Sequence, residues 1–239
     1  MTASFHKGRL GVRLAQDAAD LAACQALRHA CFFGRPGVDA DAFDAACQHI
    51  MIGGEGGLVG TCRVMVLPHG DALSASYAAT AYDLEPLAGL TSPVIEIGRF
   101  CVAPGIGTAD VLRLAWGALT RLVDAHAAGL LIGCSSFPGA DPQRHAAALA
   151  LLGAHHQGPA ALRPLRRADR AVPLSGAVPD RRAALAGLPP LLRSYLGMGG
   201  WVGDHAVVDD VMDTVHVFTA VAVDAVPPAR ARALRALAG

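Results

Sequence analysis

The sequence predicts an α/β fold with a mixed, mostly antiparallel central sheet flanked by helices. Apolar runs with strand character alternate along the chain with segments whose apolar residues recur at helical spacing. Two of these runs are joined by a glycine-rich turn, as in an antiparallel hairpin, and two more follow one another near the C-terminus. Because no internal repeat is visible, we interpret residues 1–239 as a single domain.

The N-terminal part of the chain predicts a strand, two helices and the hairpin. Residues 9–14 alternate in the manner of a strand, and Asp17 is placed to cap a following helix. The apolar positions of that helix share one face: Leu21, Cys24, Leu27 and Cys31. A short helix is predicted from Asp39 to Cys47, and the hairpin follows as HIMIGG and LVGTCRVMVL around the turn EGG.

The central part predicts strand, helix, strand and helix. The run PVIEIGRFCV at residues 93–102 is a strand, and Thr108 is the expected cap of a helix that ends at Gly129. LLIGCSSF is the next strand. Asp141 followed by Pro142 begins another helix, because aspartate is a frequent N-cap and proline fits the first helical position.

The composition changes between residues 158 and 187. This segment has several prolines and carries six arginines against two aspartates, which gives it a net charge of +4. We expect a long loop or insertion here. Beyond it, LPPLLRSYLGMGG predicts a short helix, and WVGDHAVVDD and DTVHVFTAVAVD predict a final pair of strands.

The overall composition excludes several classes of protein. At 53% hydrophobic and 17% charged residues, the chain is too apolar to be extensively disordered. Its 20 basic residues balance 20 acidic ones, without the basic excess of a nucleic-acid binder. No apolar stretch reaches the roughly 18 to 20 residues of a membrane-spanning helix, and the N-terminus lacks a secretory signal. We therefore expect a cytoplasmic protein with no nucleic-acid partner.

Cysteine and histidine usage argues against a metal site. The six cysteines form no CxxC pair and lie within apolar segments, which predicts reduced, buried thiols. The ten histidines show no metal-ligand spacing with these cysteines. We expect no bound metal.

Two charged residues stand inside the apolar run at residues 93–102. Charged groups such as Glu96 and Arg99 are seldom buried unless they are paired or face a substrate. Strict alternation would place them on opposite faces of the sheet. A bulge at Gly98 would bring both to one face and leave a backbone N–H unpaired. From the residues alone, a structural ion pair and a catalytic acid–base role are equally open.

Four further polar residues lie in mainly apolar surroundings: Arg28, Asp41, Asp44 and Arg63. Taken singly, each has an ordinary explanation. Arg28 fits a solvated helix position and Asp41 fits a helix cap. Only their combination with the two charges of the central strand suggests a site.

Six segments of the chain occur in a characteristic order: ALRHACFF, DAFDAACQHIMI, LVGTCRVMVL, PVIEIGRFCV, LLIGCSSFPGADPQRHA and LPPLLRSYLGMGGWVGDHAVVDD. Together they resemble the bacterial ornithine-acyl carrier protein N-acyltransferases of ornithine lipid synthesis, members of the GNAT superfamily. The resemblance covers about residues 9–224. Seven positions also match the pattern of the related acyl-homoserine-lactone synthases: Arg28, Phe32, Asp41, Asp44, Arg63, Glu96 and Arg99. Those synthases have a tryptophan where this chain has Val38, and LPPLLRSYLGMGG is characteristic of the ornithine branch.

The resemblance implies a reaction and its catalytic residues. A fatty acyl group, by analogy a 3-hydroxyacyl group, would pass from acyl carrier protein to the α-amine of ornithine and give a lyso-ornithine lipid. Glu96 is then the expected base that takes a proton from the amine. The backbone N–H at Gly98 is expected to hold the tetrahedral oxyanion, and Arg99 to orient Glu96 or the substrate.

The same resemblance implies a substrate-binding set. Arg28 or Arg63 is expected to hold the α-carboxylate of ornithine bidentately. Asp41 and Asp44 are expected to bind the δ-ammonium. Phe32 completes this set.

The loop before the second long helix indicates which kind of molecule donates the acyl group. Most GNAT enzymes cradle the pyrophosphate of coenzyme A on a basic, glycine-rich loop, whereas this chain has PGIGTAD without the usual arginine or glutamine. This departure disfavours coenzyme A and suits a donor carried on the 4'-phosphopantetheine of acyl carrier protein, with no other cofactor expected. The expected acyl and pantetheine contacts are Phe100, Cys101, Val102, Gly105, Gly107 and Thr108.

Other interpretations stay open at this point. The chain could act as a lactone synthase or another N-acyl amino acid synthase, or as a non-catalytic module that binds lipid or carrier protein. A covalent acyl-thiol intermediate on Cys101 or Cys134 is disfavoured, because neither has a histidine at a suitable spacing. The arginine-rich segment at residues 158–187 fits an acidic carrier protein, peripheral contact with the inner membrane, or a merely solvated insertion.

Overall fold

The computed structural model describes residues 4–178 and 180–238. The ends of the predicted domain, residues 1–3 and 239, lie outside the described residues, as does Pro179 of the arginine-rich segment. The described chain forms two compact units. The first comprises the residues up to Val66, Ile95–Ala128 and the residues from Pro228, and the second comprises Leu67–Val94 and Gly129–Pro227.

The strands are β1 (Phe5–Lys7), β2 (Leu10–Leu14), β3 (Gln48–Gly54), β4 (Gly57–Leu67), β5 (Tyr82–Asp83), β6 (Val94–Val102), β7 (Leu130–Pro138), β8 (Leu165–Arg166), β9 (Ala171–Pro173), β10 (Trp201–Asp209) and β11 (Thr214–Ala222). The α-helices are α1 (Ala18–Phe33), α2 (Thr108–His126), α3 (Ala146–His155), α4 (Arg181–Ala186), α5 (Pro190–Leu196) and α6 (Pro228–Ala238). The α/β class with a mixed, mostly antiparallel sheet and flanking helices is confirmed. The single domain over residues 1–239 stays a prediction.

In the first unit, the strands lie in the order β1, β2, β3, β4, β6. The predicted hairpin is the antiparallel pair of β3 and β4. Asp17 caps α1 as predicted, since its carboxylate accepts from the N–H of Asp20 at 2.9 Å. Helix α2 approaches β4 closely at Gly60, where a Cβ atom would lie 2.5 Å from Val111 Cγ1. Only glycine allows this approach.

In the second unit, β7, β11, β10 and β9 are antiparallel neighbours, and β5 pairs with β8. The predicted pair of C-terminal strands is therefore confirmed as β10 and β11. Helices α3, α4 and α5 cover a core that includes Leu149, Leu152, Leu192 and Val217. Alanine and leucine dominate α3, which fits a helix buried on several sides.

The structure corrects several sequence expectations. The predicted helix from Asp39 to Cys47 is only one 3-10 turn at Asp44–Ala46, because the carboxylates of this segment turn toward arginines. Residues 158–187 do not form a plain loop, since they contain β8, β9 and α4. The second long helix ends at His126, three residues before Gly129, and its C-cap is Ala127. Strand β1 and helix α6 were not predicted at all.

Within residues 4–178 and 180–238, no helix has both the length and the apolar character that crossing a membrane requires.

His216 is buried in the second unit beside Tyr82. The Tyr82 hydroxyl donates to the His216 carbonyl oxygen at 2.9 Å and lies 3.1 Å from the ring nitrogen Nδ1. Burial disfavours the charged imidazolium, so the pKa of His216 is lowered from 6.5 to about 4. The ring is therefore neutral at physiological pH.

This buried histidine predicts a pH-dependent stability. As the pH falls from 6.5 to about 4, His216 becomes protonated in the unfolded chain but stays neutral in the folded chain. The free energy of unfolding should therefore fall by about 3 kcal/mol as the pH drops through this window. Urea denaturation at several pH values within this range measures how the free energy of unfolding depends on pH. His216→Leu should reduce the pH dependence of the unfolding free energy, while the exposed control His69→Gln should leave it unchanged. An unchanged pH dependence in His216→Leu would rule out this assignment.

Candidate active site

Three arginines and three aspartates of the first unit form a closed ring of alternating charge, called here the charge ring. Its arginines come from α1, β4 and β6, and its acids from the segment between α1 and β3. Each carboxylate contacts two arginines and each arginine contacts two carboxylates, so the ring carries no net charge. In order, its members are Arg28, Asp39, Arg99, Asp41, Arg63 and Asp44.

Arg28 forms the buried side of the charge ring. Its Nε donates to Asp39 Oδ2 at 2.8 Å, and Nη1 and Nη2 donate to the two oxygens of Asp44 at 2.9 Å each. Nη2 also donates to the Asp39 carbonyl oxygen. Gln25, one turn earlier on α1, donates its amide to Asp44 at 2.9 Å. Arg28 has no exposed surface, and every guanidinium nitrogen donates a hydrogen bond.

Arg63 joins the two later acids. Its Nη1 donates to Asp44 Oδ1 at 2.9 Å and to Asp41 Oδ1. The Phe43 N–H donates to the same Asp41 oxygen at 2.9 Å, and the Phe43 ring centre lies 5.5 Å from the guanidinium carbon of Arg63. His49 pairs with Arg63 across β3 and β4, and its Nε2 lies 3.1 Å from the Asp44 carbonyl oxygen. Residues 41–44 thus wrap around the Arg63 side chain.

Arg99 closes the ring from β6. Its Nε donates to Asp39 Oδ2 at 3.2 Å and its Nη2 to Asp41 Oδ2 at 3.3 Å. Its backbone has φ 53°, a left-handed conformation that is uncommon for any residue except glycine. The left-handed conformation lies at Arg99, the residue after Gly98, and the bulge at Gly98 stays a prediction. Two carboxylates hold the Arg99 side chain in place.

The arginines keep two of the ring carboxylates, Asp41 and Asp44, ionised. Burial by itself raises the pKa of Asp41, but hydrogen bonds and charge from Arg63 outweigh it and leave the pKa lowered. Burial also raises the pKa of Asp44, but hydrogen bonds from Arg28, Gln25 and Arg63 outweigh it and bring the pKa far below its usual value of 3.8. Both carboxylates are therefore charged at neutral pH.

Exposure differs around the charge ring. The side chains of Arg28 and Asp44 are 0% and 5% exposed, whereas those of Arg99 and Asp41 are 13% and 24% exposed. A ligand can therefore reach a cation and an anion side by side at Arg99 and Asp41. We call this pair the open edge of the ring.

Glu96 lies on β6, three residues before Arg99, and is 5% exposed. Burial is the main cause that raises the pKa of the Cys47 thiol to about 11; Arg63 opposes this shift, and the charges of Glu96 and Asp44 add to it. Glu96 therefore influences the same thiol as Asp44 of the charge ring.

Gly98 lies against the side chain of Arg63. A Cβ atom at Gly98 would be 3.6 Å from Arg63 Nε and 3.7 Å from its Cγ, an ordinary contact distance. Its role as the source of an oxyanion-binding N–H stays a prediction.

The predicted donor loop precedes α2 in an open position. Gly105 has φ 81°, and a Cβ atom at Gly105 or Gly107 would meet nothing within 4 Å. The N-cap of α2 is Gly107 and Thr108 is the first helical residue, so the expected threonine cap is wrong. The first turn also carries Asp110, which pairs with Arg113 at 3.0 Å. An acid at this position disfavours a pyrophosphate.

The remaining predicted residues are placed as follows. Phe32 is half-buried one turn after Arg28 on α1, and Phe100 is half-buried beside Arg99 on β6. Cys101 is buried, and the carbonyl oxygen of Val102 accepts a bond from the Cys31 thiol at 3.4 Å. Cys134 lies on β7 of the second unit.

The structure thus joins five predicted residues in one ring: Arg28, Asp41, Asp44, Arg63 and Arg99. Sequence reasoning missed Asp39, which bridges Arg28 and Arg99, and also Gln25 and His49. A signal for Asp39 was present, because the segment DADAFD has three acids and only two of them were considered.

Comparison with known proteins indicates the domain type and the fold of this chain. The acetyltransferase (GNAT) domain matches residues 24–117, a range that holds the whole charge ring and Glu96. The apo structure of TofI covers 96% of this chain and 99% of its own, with 16% identity and a TM-score of 0.53. FeeM, an N-acyl amino acid synthase from uncultured soil microbes, covers 91% and 94%, with 11% identity and a TM-score of 0.50. These two structures share the fold.

A relative in sequence gives the family. The L-ornithine N(alpha)-acyltransferase of Rhodobacter capsulatus is 32% identical over 225 residues, which are 86% of this chain and 87% of the relative. The corresponding enzyme of Brucella abortus is also 32% identical, over 88% of this chain and 83% of its own. The chain belongs to the family of L-ornithine N(alpha)-acyltransferases.

Proposed function

We propose that this protein transfers a fatty acyl group, by analogy a 3-hydroxyacyl group, from acyl carrier protein to the α-amine of ornithine. The products are a lyso-ornithine lipid and a free carrier thiol. The observation that carries the proposal is the open edge of the charge ring, where Arg99 and Asp41 offer opposite charges side by side. Ornithine itself is charged at both ends. The names of the sequence relatives support ornithine as the acceptor.

In this proposal the open edge orients the acceptor. Arg99 receives the α-carboxylate, and Asp41 receives the δ-ammonium. Arg63, which is paired with Asp41, adds positive charge near the α-carboxylate of ornithine. Arg28 and Asp44 form the enclosed support, because Arg28 has no exposed surface and both oxygens of Asp44 already accept hydrogen bonds from Arg28, Gln25 and Arg63.

Glu96 is the proposed base. The α-amine is mostly protonated at neutral pH, so it must lose a proton before it can attack. Glu96 takes that proton directly or through one water, and the amine nitrogen then bonds to the thioester carbon. Backbone N–H at Gly98 holds the oxyanion. The carbon–sulphur bond breaks, and the departing thiolate takes up the proton that the attacking nitrogen loses as the amide forms.

The donor loop supports a carrier protein over coenzyme A. Among the described residues of the turn Pro104–Gly107, no side chain is basic, and Asp110 places a negative charge in the first turn of α2. An acyl carrier protein presents a single phosphate on its prosthetic arm, whereas in coenzyme A this phosphate is part of a pyrophosphate. We propose that Phe100, Cys101 and Val102 contact the arm or the acyl chain.

An exposed basic surface on the second unit is the proposed contact for an acidic carrier protein. Arg166 and Arg167 are exposed beside Leu165, which is 53% exposed. Arg170 is paired with Asp210 instead. The same surface suits peripheral contact with an anionic membrane, into which a lyso-lipid would pass.

The proposed function is tested by product analysis. Purified protein is incubated with 3-hydroxyacyl carrier protein or the matching acyl-coenzyme A, and with a panel that contains ornithine, lysine, glutamine and S-adenosylmethionine. Mass spectrometry should show ornithine acylated from the carrier, with a rate that falls as salt is raised. Acylation of S-adenosylmethionine instead of ornithine would support the lactone-synthase interpretation and overturn the proposal.

The proposed contact between Asp41 and the δ-ammonium of ornithine can be tested by mutation. Asp41→Asn should raise the KM for ornithine about 10- to 100-fold with a small change in kcat, because it removes a charged partner of the δ-ammonium. Steady-state kinetics with saturating acyl carrier protein measure the split. Asp124→Asn, which breaks an exposed pair with Arg235, is the matched control and should leave KM unchanged. An unchanged KM in Asp41→Asn would exclude Asp41 from the acceptor site.

A further inference from the structure

His49 lies beside the turn at residues 41–44, which carries two acids of the charge ring. It is on β3, directly opposite Arg63 of β4 in the antiparallel register, so both side chains are on the same face of the sheet. The His49 side chain is only 5% exposed. This buried imidazole has no role in the proposed chemistry.

A chain of hydrogen bonds runs from His49 to Asp41. His49 Nε2 lies 3.1 Å from the Asp44 carbonyl oxygen. The Asp44 N–H in turn donates to the Asp41 carbonyl oxygen at 3.2 Å. Arg63 binds the carboxylates of the same turn, since its Nη1 donates to Asp44 at 2.9 Å and to Asp41. His49 thus holds the backbone of the turn while Arg63 holds its side chains.

The hydrogen bond to Asp44 determines which nitrogen of His49 carries a proton. A carbonyl oxygen only accepts, so Nε2 is the donor and the neutral ring has its lone pair on Nδ1. In the part of the chain that the structure describes, the buried Nδ1 has no hydrogen-bond partner, so a second proton there would find no acceptor. Burial, together with the positive charges of Arg28 and Arg63, lowers the pKa of His49 below 6.5, although Asp44 opposes this shift. The ring is therefore a neutral donor at physiological pH.

We propose that His49 is a positioning residue for the acceptor amino acid, because its bond to the turn fixes Asp41 at the open edge of the charge ring. The Asp41 side chain is the most exposed of the ring, at 24%. A neutral donor suits this task, since it holds the Asp44 carbonyl without adding charge to a ring that is already balanced. The inference rests on the proposed function, in which Asp41 binds the δ-ammonium of ornithine. His49 then contributes to the choice of amino acid without touching it.

Replacement of His49 by asparagine is expected to raise the KM for ornithine about 3- to 10-fold with kcat nearly unchanged, the usual size of effect for one lost neutral hydrogen bond. The asparagine amide reaches only as far as Nδ1 and cannot donate to the Asp44 carbonyl. In His49→Gln the amide reaches as far as Nε2 and can make this bond, so KM should stay within about twofold of the wild-type value.

Norvaline, which lacks the δ-ammonium of ornithine, distinguishes positioning from a purely structural role. Because His49 acts through Asp41, His49→Asn should lower kcat/KM for ornithine and leave kcat/KM for norvaline unchanged. In the Asp41→Asn protein the charged contact is already lost, so adding His49→Asn should change the KM for ornithine by less than about twofold. A general loss of folding would instead lower activity toward both amino acids.

Steady-state kinetics with 3-hydroxyacyl carrier protein measure these values, after circular dichroism has shown that each variant is folded. His6→Asn, at an exposed position of β1 in the same unit, is the matched control and should behave as the wild type. Three results would each overturn the proposal: an unchanged KM for ornithine in folded His49→Asn, an equal loss with norvaline, or a His49→Gln protein as impaired as His49→Asn.

Nitrogen-15 NMR of the wild-type protein gives a test that does not need the asparagine variant. With isotope-labelled histidine, the His49 signals are those that disappear in His49→Gln. At neutral pH they should show a proton on Nε2 and none on Nδ1, and they should shift when ornithine is added at a concentration that saturates acyl transfer. A proton on Nδ1, or no shift with ornithine, would contradict the proposal. The proposed function is judged separately, by whether the wild-type protein acylates ornithine.

Discussion

Replacement of Glu96 by glutamine is expected to lower kcat for acyl transfer by about 10²- to 10⁴-fold, the usual contribution of a positioned general base. Glutamine has nearly the same shape as glutamate but cannot accept the proton of the α-ammonium group. The side chain is 5% exposed within β6, so no outside base can easily replace it. The KM for ornithine should change little, because the open edge of the charge ring is left intact.

Glu55→Gln is the control for this experiment. Glu55 is exposed at the turn between β3 and β4 and is not one of the proposed contacts. Circular dichroism and thermal melting should show that both variants are folded. A folded Glu96→Gln protein with wild-type kcat would remove Glu96 as the base.

Replacement of Arg28 by methionine is expected to destabilise the protein by about 3 to 5 kcal/mol, the cost of leaving buried charges without their partner. Methionine fills much of the volume, so the loss is mainly electrostatic. Asp39 and Asp44 are 9% and 5% exposed, and each would lose a charged hydrogen-bond donor. In a chain of this length the melting temperature should fall by about 10 °C.

Arg13→Met provides a matched comparison, since it also removes an arginine from an ion pair in the first unit. The Arg13 side chain is 44% exposed, and its pair with Asp20 lies at the surface, so only a small loss of stability is expected. Urea denaturation of both variants gives the difference. Equal, small losses for Arg28→Met and Arg13→Met would contradict a buried, stabilising role for the charge ring.

Local patterns in the sequence predicted most of the sheet. The apolar runs that became β3, β4, β6, β7, β10 and β11 were recognisable because buried strands concentrate apolar residues. Helix α6 was missed because PARARALRALA is weakly apolar, and its fold depends on packing. Its end is held by Arg121, whose Nε donates to the Ala238 carbonyl oxygen at 2.8 Å, a contact across 117 residues.

The site was predictable as a set of residues but not as an arrangement. Arg28, Asp41, Asp44, Arg63 and Arg99 could be named from the resemblance and from their unusual apolar surroundings. Their closure into a ring depends on contacts between distant segments. Asp39 shows this limit clearly, because the acid-rich segment DADAFD makes it a candidate site residue but does not reveal that it bridges Arg28 and Arg99.

The backbone conformation of β6 could be predicted only in part. Glycine in a strand interior often marks a bulge, so the sequence predicts a bulge at Gly98, and this stays a prediction. The left-handed conformation lies at Arg99, whose side chain is held by Asp39 and Asp41. Local patterns could not reveal this conformation, because these ion pairs join residues that are about 60 positions apart.

The most direct test of the account is a competition between ornithine and norvaline, which has the same carbon skeleton without the δ-ammonium. The measured quantity is the ratio of kcat/KM values for α-N-acylation, with 3-hydroxyacyl carrier protein as donor. The account predicts that the wild-type protein prefers ornithine by about 10- to 100-fold and that Asp41→Asn loses this preference. Equal acylation of both amino acids by the wild type, or an undiminished preference in Asp41→Asn, would contradict it.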